Sequence, residues 1–265
     1  MDLSEEDLVE LRGAKWTLEH PGLVAKLSSA LGSPLEKGMK LLPARVQQTV
    51  HEATQAALMK ALEVAVSSLG EKRASKHSDR LHQFAAAASG AAGGAFGIAA
   101  IGIELPVSTT VMLRSIADIA MAAGEDPRQV ETKLACLTVF ALGSTKDASD
   151  NAAESGYFAA RSALATAVSE ASRHIAQKGL QKGSAPALVR LIALIGSRFG
   201  IVVSEKAAAQ MVPIIGAAGG ALINTVFISH YQDMARGHFT VRKLERKYGP
   251  EAVRLAYEAA GVTGS

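Results

Sequence analysis

The feature that most constrains this chain is a pair of glycine-rich runs without a charged side chain. Residues 90–96 read GAAGGAF, and residues 216–222 read GAAGGAL. Glycines four apart lie on one face of a helix and let a second helix approach closely. Each interior glycine destabilises its helix by roughly 1 kcal/mol relative to alanine, so close packing has to offset that loss. We therefore predict two Gly/Ala-rich core helices that pack through Gly90, Gly94, Gly97, Gly216 and Gly220.

The rest of the chain is also typical of helices. Ala, Leu, Glu, Lys and Gln dominate long segments with apolar residues three and four apart, and alternating strand patterns are nearly absent. We predict an all-α multi-helix bundle of about ten helices. Pro106 is predicted to start one of them, which would place Glu104 beside a helix N-terminus. A break near Pro213 and a separate basic helix before Gly249 are predicted further along.

A polar segment is predicted to divide the chain. Residues 71–80 read EKRASKHSDR and have no apolar periodicity, so we interpret them as a basic linker or loop. Residues 1–70 would then form an N-terminal helical arm. Residues 81–265 would form the main helical domain, as one continuous fold that is long enough to bury a substantial core.

Both glycine runs lie in segments of membrane-spanning length. Residues 84–103 and 207–229 carry no charge, and about 20 apolar residues suffice to cross a bilayer. Composition argues against crossing, because the first segment is mainly Ala and Gly and the second contains Gln210, Pro213 and Asn224. A buried hairpin in a soluble protein is the preferred interpretation, and contact with a membrane surface is the alternative.

A basic segment near the end of the chain suggests a partner. Residues 236–249, RGHFTVRKLERKYG, place Arg and Lys around an apolar stripe of Val241, Leu244 and Tyr248. This pattern suits an anionic membrane surface, although a solvated helix face is the commoner case. The net charge is only +3 and no nucleic-acid-binding motif is present, so we predict no nucleic acid partner. Without a secretory signal pattern, the expected location is the cytoplasm, either free or peripheral to the inner membrane.

Polar residues inside the apolar frame are the candidates for a ligand site. Arg114 and Asp118 are four apart, and the stretch ESGYFAAR at residues 154–161 aligns three polar side chains on one helix face. Such buried networks are more often structural than catalytic. If they converge on a cavity, a small-molecule ligand is expected there. The candidate ligand-binding residues are Glu104, Arg114, Asp118, Glu154, Tyr157, Arg161 and Asn224.

No catalytic motif is recognised. The chain has no HExxH, no CxxC pair, no EF-hand loop, no GxSxG and no P-loop. His230, Asp233 and His238 form a weak metal-like set, because their spacing places them on adjoining parts of a helix. We predict no cofactor, and the sequence leaves open whether the protein is an enzyme.

Several tracts resemble the EcsC protein family of bacteria. They cover residues 19–43, residues 102–126 (GIELPVSTTVMLRSIADIAMAAGED), residues 154–164 and residues 213–249, in order through nearly the whole chain. The family is named after a protein encoded beside an ABC transporter, and the resemblance supplies no catalytic residues. By association it implies a link to a membrane system, so a peripheral membrane-associated or transporter-accessory protein is the leading hypothesis. A ligand-binding protein or enzyme with a buried polar pocket is the alternative.

Overall fold

The computed structural model describes residues 3–20, 22–31, 42–69, 101–144, 156–180, 185–211 and 216–260. These ranges contain helices and no β-strand, so the all-α multi-helix bundle is confirmed. A 3₁₀ turn, Val139–Ala141, extends α5. The nine described α-helices are α1 (Glu5–Glu19), α2 (Leu23–Leu31), α3 (Ala44–Ser68), α4 (Ile101–Ala122), α5 (Val130–Thr138), α6 (Gly156–Lys178), α7 (Pro186–Gln210), α8 (Gly216–Tyr248) and α9 (Pro250–Ala259).

The longest helix, α8, runs through the middle of the bundle. Its 33 residues correspond to about 50 Å at 1.5 Å per residue. It packs against α1, α2, α4 and α9, and its aromatic side chains fill the centre of the core. Tyr231 lies 5.3 Å from Phe140 and 5.6 Å from Phe199, measured between ring centroids. Because α8 touches so many neighbours, polar groups along it are brought to several distinct places in the fold.

The helices before residue 70 share this core. The α3 helix packs against α4 and α7 through the fully buried Ala57, Ala61 and Ala65, whose small side chains permit close contact. The α1 helix packs on α8 with the buried Leu11 and Leu18. The predicted linker at residues 71–80 lies outside the described residues, so the division of the chain there stays a prediction.

Two helix boundaries differ from those predicted. Pro106 lies inside α4 and does not start a helix, because the packing of its buried neighbours offsets the lost backbone hydrogen bond and the crowding by the proline ring. Glu104 is accordingly a buried residue within α4. The predicted separate basic helix is the C-terminal part of α8, which is continuous to Tyr248. The predicted break near Pro213 agrees with the end of α7 at Gln210 and the start of α8 at Gly216.

The predicted glycine packing is not described as a whole. Gly90, Gly94 and Gly97 lie outside the described residues, so their contact with Gly216 and Gly220 at the start of α8 stays a prediction. A different glycine makes a close helix contact in the structure. A Cβ atom on Gly237 would lie 2.8 Å from Cγ of Leu18, which is closer than real side chains pack.

Candidate functional site

A buried polar cluster forms where α4, α7 and α8 meet. Lys206 of α7 donates hydrogen bonds from Nζ to Glu104 Oε1 at 2.6 Å and to Asn224 Oδ1 at 2.8 Å. Gln210 Nε2 lies 3.4 Å from the other Glu104 oxygen, and the Lys206 ammonium lies 4.7 Å from the centre of the Phe227 ring. Lys206, Glu104 and Asn224 are all at most 5% exposed. We call these residues the Lys206 cluster.

The charges of the Lys206 cluster depend on one another. Burial lowers the pKa of Lys206, and the neighbouring Glu104 carboxylate opposes this shift. Removing one member would leave a buried charge without a partner, which is costly in a low-dielectric interior. Glu205, the preceding residue, makes no hydrogen bond within the described residues, and burial raises its pKa to about 7. The cluster thus has the properties of a structural ion pair with a titrating neighbour.

The helix segments around the Lys206 cluster show no exposed charge. Over residues 101–113, 199–211 and 216–232 the charged residues are Glu104, Glu205 and Lys206, and each is at most 5% exposed. Thirteen helical residues correspond to about 20 Å, so the uncharged surface is extensive. The exposed apolar side chains on these segments are Ile103 (80%), Val107 (49%), Met211 (41%) and Leu222 (40%). We call this surface the apolar end.

A second polar cluster joins α6 and α8. Arg161 donates to both carboxylate oxygens of Glu245, at 2.7 and 3.1 Å, and to the Tyr157 hydroxyl at 3.2 Å. The Tyr157 oxygen lies 2.9 Å from Nδ1 of His238. The backbone N–H groups of Gly156 and Tyr157 donate to Glu19, which fixes the start of α6 against α1. We call Tyr157, Arg161, His238 and Glu245 the His238 cluster.

A cavity of about 260 Å³ lies beside the His238 cluster, between α5, α6 and α8. Its polar lining includes Arg161, His238 and Arg242, and its apolar lining includes Leu142 and Leu164. His238 is 2% exposed, and burial holds the pKa of its ring well below the usual value, helped by Arg161 and Arg242. The ring is therefore neutral at physiological pH. A neutral imidazole beside a cavity can donate or accept one hydrogen bond to a ligand.

The predicted site residues fall into separate places. Glu104 and Asn224 meet on Lys206, while Tyr157 and Arg161 belong to the His238 cluster. Asn224 and His238 are fourteen positions apart on α8, so the two clusters are separated by about 21 Å along the helix. The predicted residues do not surround one pocket in the described part of the chain.

The remaining predicted ligand residues form no third cluster in the part of the chain that the structure describes. Arg114 is exposed and makes no hydrogen bond or ion pair to any described residue, whereas Asp118 is half-buried. Glu154 lies outside the described residues. Arg114 and Asp118 have the helical spacing that places them on one face, but no hydrogen bond or ion pair joins these two described residues.

The three metal candidates point to different partners. His230 Nε2 lies 2.9 Å from the carbonyl oxygen of Gly143, Asp233 pairs with Lys26, and His238 contacts Tyr157. Across the ranges that the structure describes, no three His, Cys, Asp or Glu side chains are arranged to hold a metal ion. We propose no metal for these residues.

Most of the basic side chains at the end of α8 pair with acids. Arg242 and Arg246 both bind Glu125, and Glu125 also accepts from Thr132. The other pairs are Arg236 with Asp233, Lys243 with Glu10, and Lys247 with Asp7. A paired cation attracts an anionic surface less than a free one, so this segment is an ion-paired region that ties α8 to α1 and to the turn after α4.

Sequence reasoning missed one residue of each cluster. Lys206 was not selected, although Glu205 and Lys206 are the only charged pair in an otherwise uncharged stretch, residues 199–211. That local contrast is a usable signal for a buried ion pair. Glu245 carried no such signal, because it lies among many exposed charges at the end of α8. His238 was selected as a metal ligand, whereas its contact is a tyrosine 81 positions away.

Comparisons with known proteins give one match. The model of the EcsC protein family matches residues 5–244, which is most of the 265-residue chain. No curated protein and no solved structure matches.

Proposed function

This chain belongs to the EcsC protein family, and from that premise we propose that it is a peripheral membrane protein that docks on a lipid bilayer with its apolar end. The observation that carries the proposal is the absence of exposed charge on the three helix segments around the Lys206 cluster. A surface of this kind favours an apolar medium over water, because it holds no ion that would have to be desolvated.

The exposed side chains of the apolar end supply the attraction. Ile103 and Val107 lie one turn apart on α4, and Met211 and Leu222 flank the break between α7 and α8. Fully burying an aliphatic side chain contributes up to roughly 1.5–3 kcal/mol, so four partly exposed ones together suffice for reversible binding. The adjoining residues 84–100 are also uncharged, which makes the surrounding sequence compatible with the same medium.

Peripheral docking accords better with the fold than crossing. The α4 helix and the α7 helix are each long and apolar enough to span a bilayer, but half of the apolar window of each is buried inside the protein. Those buried faces already pack on α3 and α8, as in the core helices of a soluble protein. A crossing helix would have to exchange these contacts for lipid.

The proposal depends on the apolar end and not on the basic segment at the end of α8. The cations of that segment are largely paired with acids, as described above, and a bilayer contact there would compete with those pairs. A role as an accessory protein of a membrane transporter is a narrower form of the proposal. It rests on the family resemblance alone.

Liposome flotation tests the proposal. Vesicles of phosphatidylcholine, with and without phosphatidylglycerol, are mixed with the protein at low and at high salt. We expect binding to both vesicle types, with little loss at high salt, because apolar contacts are not screened by ions. Ile103→Asp should weaken binding by about tenfold or more, which corresponds to about 1.4 kcal/mol.

Leu255→Asp is the matched control, because Leu255 is also an exposed aliphatic residue (55%) and lies on α9, away from the apolar end. It should bind like the unmodified protein. The proposal fails if the unmodified protein stays unbound on both vesicle types, or if both variants bind equally. Binding that requires phosphatidylglycerol and disappears at high salt would point to the basic segment instead. Binding only to native membranes that carry protein would indicate a membrane protein partner.

A further inference from the structure

The geometry points to a second site, in which the cavity beside the His238 cluster binds a small amphiphilic carboxylate. This site is independent of the proposed docking on a bilayer, because the cavity lies about 21 Å along α8 from the Lys206 cluster. Three observations carry it: the buried ring nitrogen of His238 without a partner, the unused donors of two arginines, and the apolar lining of the cavity.

The proton on His238 can be placed from its neighbours. Arg161 donates to the Tyr157 oxygen, so that oxygen already acts as an acceptor, and its own hydrogen needs another acceptor. His238 Nδ1, 2.9 Å away, is the acceptor within reach. Burial raises the pKa of Tyr157, so the phenol keeps its hydrogen. Nδ1 therefore accepts, and the hydrogen of the neutral ring resides on Nε2.

That Nε2–H group is buried and has no acceptor among the described residues. Buried donors are nearly always satisfied, so an unsatisfied one at the edge of a cavity indicates a missing acceptor. His238 is one of the residues that line the cavity, so we assign that acceptor to an occupant of the cavity.

The two arginines add further donors of the same kind. Arg161 uses Nη1 and Nη2 in its bonds, and Arg242 uses Nε and Nη2 to bind Glu125. Each guanidinium has five N–H donors, so both keep unused ones. Their side chains are each 27% exposed, which places them where the cavity reaches solvent. Together with the His238 Nε2–H group, these unused N–H groups suit an acceptor such as a carboxylate.

Charge balance favours a single negative charge on the occupant. Arg161 is already paired with Glu245, and Arg242 with Glu125, so neither guanidinium offers a full uncompensated charge. The exposed Glu131 at the cavity adds a negative charge that opposes a phosphate dianion. A monoanionic carboxylate can accept bidentate bonds and meets less of this repulsion than a dianion.

The apolar lining of the cavity determines which group would accompany the carboxylate in the ligand. Leu142, Leu164 and Val168 line the cavity, and an alkyl group would lie against them. A volume of about 260 Å³ is slightly below the roughly 300–1,000 Å³ of pockets for drug-sized ligands, so a short chain is expected. A short-chain fatty carboxylate fits both the polar and the apolar lining.

Isothermal titration with hexanoate tests the site, with acetate, hexanol and inorganic phosphate as comparison probes. We expect hexanoate to bind at least tenfold more tightly than each of the other three, because only it joins a carboxylate to an apolar body. Equal binding of hexanol would show an apolar cavity without anion recognition. Tighter binding of phosphate would show an anion site of another class, and no measurable hexanoate binding would show a water-filled cavity. Each of these three results overturns the inference.

Two alanines on α6 give a matched pair of variants. Ala165 lines the cavity and Ala163 does not, while both are exposed, so phenylalanine is tolerated at either position. Ala165→Phe should fill the cavity and reduce hexanoate affinity at least tenfold, whereas Ala163→Phe should leave it unchanged. Equal affinities in the two variants would place any hexanoate elsewhere and overturn the inference.

The role of the histidine has its own readout. Tyr157→Phe removes the hydroxyl that directs the ring proton to Nε2, while the Arg161 pair with Glu245 remains. Nitrogen NMR of the His238 ring should show protonated Nε2 in the unmodified protein, a shift of that signal on adding hexanoate, and weaker hexanoate binding in the variant. A protonated Nδ1 in the unmodified protein would contradict the assignment.

Discussion

The two halves of α8 meet opposite surroundings. Residues 216–232, the uncharged half, contain no Asp, Glu, Lys or Arg, and their buried polar contact includes Asn224 with Lys206. Residues 233–248, the ion-paired half, carry acids and bases that bond to α1, α2, α6 and the turn after α4. The continuous helix α8 thus runs from a surface without exposed charge to a surface that carries many ion pairs.

The two halves therefore differ in how strongly the stability of the fold depends on a single ion pair. In the ion-paired half the pairs of Lys243 with Glu10 and of Arg236 with Asp233 are half-exposed, so water can replace a lost partner and each of them contributes little. Beside the uncharged half lies one buried pair, Lys206 of α7 with Glu104 of α4, and loss of either partner leaves a charge without water. Variants in the two halves should therefore behave very differently.

The largest effect is expected from Lys206→Met. It leaves Glu104 buried and uncompensated, so the free energy of unfolding should fall by about 3–5 kcal/mol. The matched change in the ion-paired half, Lys243→Met, breaks the exposed pair with Glu10 and should change it by at most about 1 kcal/mol. Urea denaturation measures both. Similar losses of stability in the two variants would contradict the difference between the buried pair and the exposed pair.

A double variant separates the lost pair from lost packing. Lys206→Met combined with Glu104→Leu removes both charges and keeps apolar volume at both positions. It should regain much of the stability lost in Lys206→Met, because replacing a whole buried pair with apolar groups is often neutral. No recovery would indicate that the lysine acts through packing.

The surroundings of the two halves should respond to pH in opposite directions. Burial raises the pKa of Glu205 from 4.5 to about 7, so its contribution to stability is complete below about pH 4.5 and is lost as the pH rises through about 7. A shift of this size corresponds to about 3 kcal/mol. Glu205→Gln should therefore raise stability above pH 7 and flatten the pH profile. A profile that does not change would contradict a buried, titrating Glu205.

Beside the ion-paired half, stability changes with pH in the opposite direction. Hydrogen bonds from Lys247, Tyr248 and Ser4 hold the pKa of Asp7 well below its usual range. Its contribution is present above the ordinary aspartate pKa and is lost as the pH falls through the lowered value. Asp7→Asn should consequently lose stability at neutral pH and become less sensitive to acid, as thermal unfolding across an acidic series would show.

A smaller effect is expected at the glycines. Gly237→Ala, in the ion-paired half, should lower stability by about 1–3 kcal/mol, because its Cβ would meet Leu18 and the carbonyl of Ala14. Gly200→Ala in α7 is the control, since nothing lies within 4 Å of its Cβ position. It should raise stability by up to about 1 kcal/mol. Similar changes in both variants would refute the close contact of α8 with α1.

The sequence predicts the fold class well because helical periodicity and breakers are local signals. The break between α7 and α8 follows from Pro213, and the stop of α1 from the proline after it. The predicted helix start at Pro106 is wrong because a proline disfavours the middle of a helix by its own chemistry, whereas the packing of its neighbours keeps α4 intact. The predicted separate basic helix is also wrong, because the change of composition within α8 does not end the helix.

The candidate sites are less predictable because their contacts join distant residues. Glu104 and Asn224 stand out as polar residues in apolar runs, but nothing local identifies Lys206, 102 and 18 positions away, as the group between them. Arg161 and Tyr157 share a helix face, yet Glu245 and His238 reach them only through the packing of α8 on α6. Such pairings are set by the tertiary fold.

A depth measurement tests the docking of the apolar end most directly. A polarity-sensitive fluorophore is attached to Leu222→Cys in the uncharged half or to Leu255→Cys on α9, and vesicles with a quencher in the acyl chains are added. The buried Cys136 does not compete for label, because burial raises the pKa of its thiol to about 12. We expect a blue shift and strong quenching at position 222 and neither at position 255. Equal responses at both positions, or none at either, would contradict a bilayer contact at the apolar end.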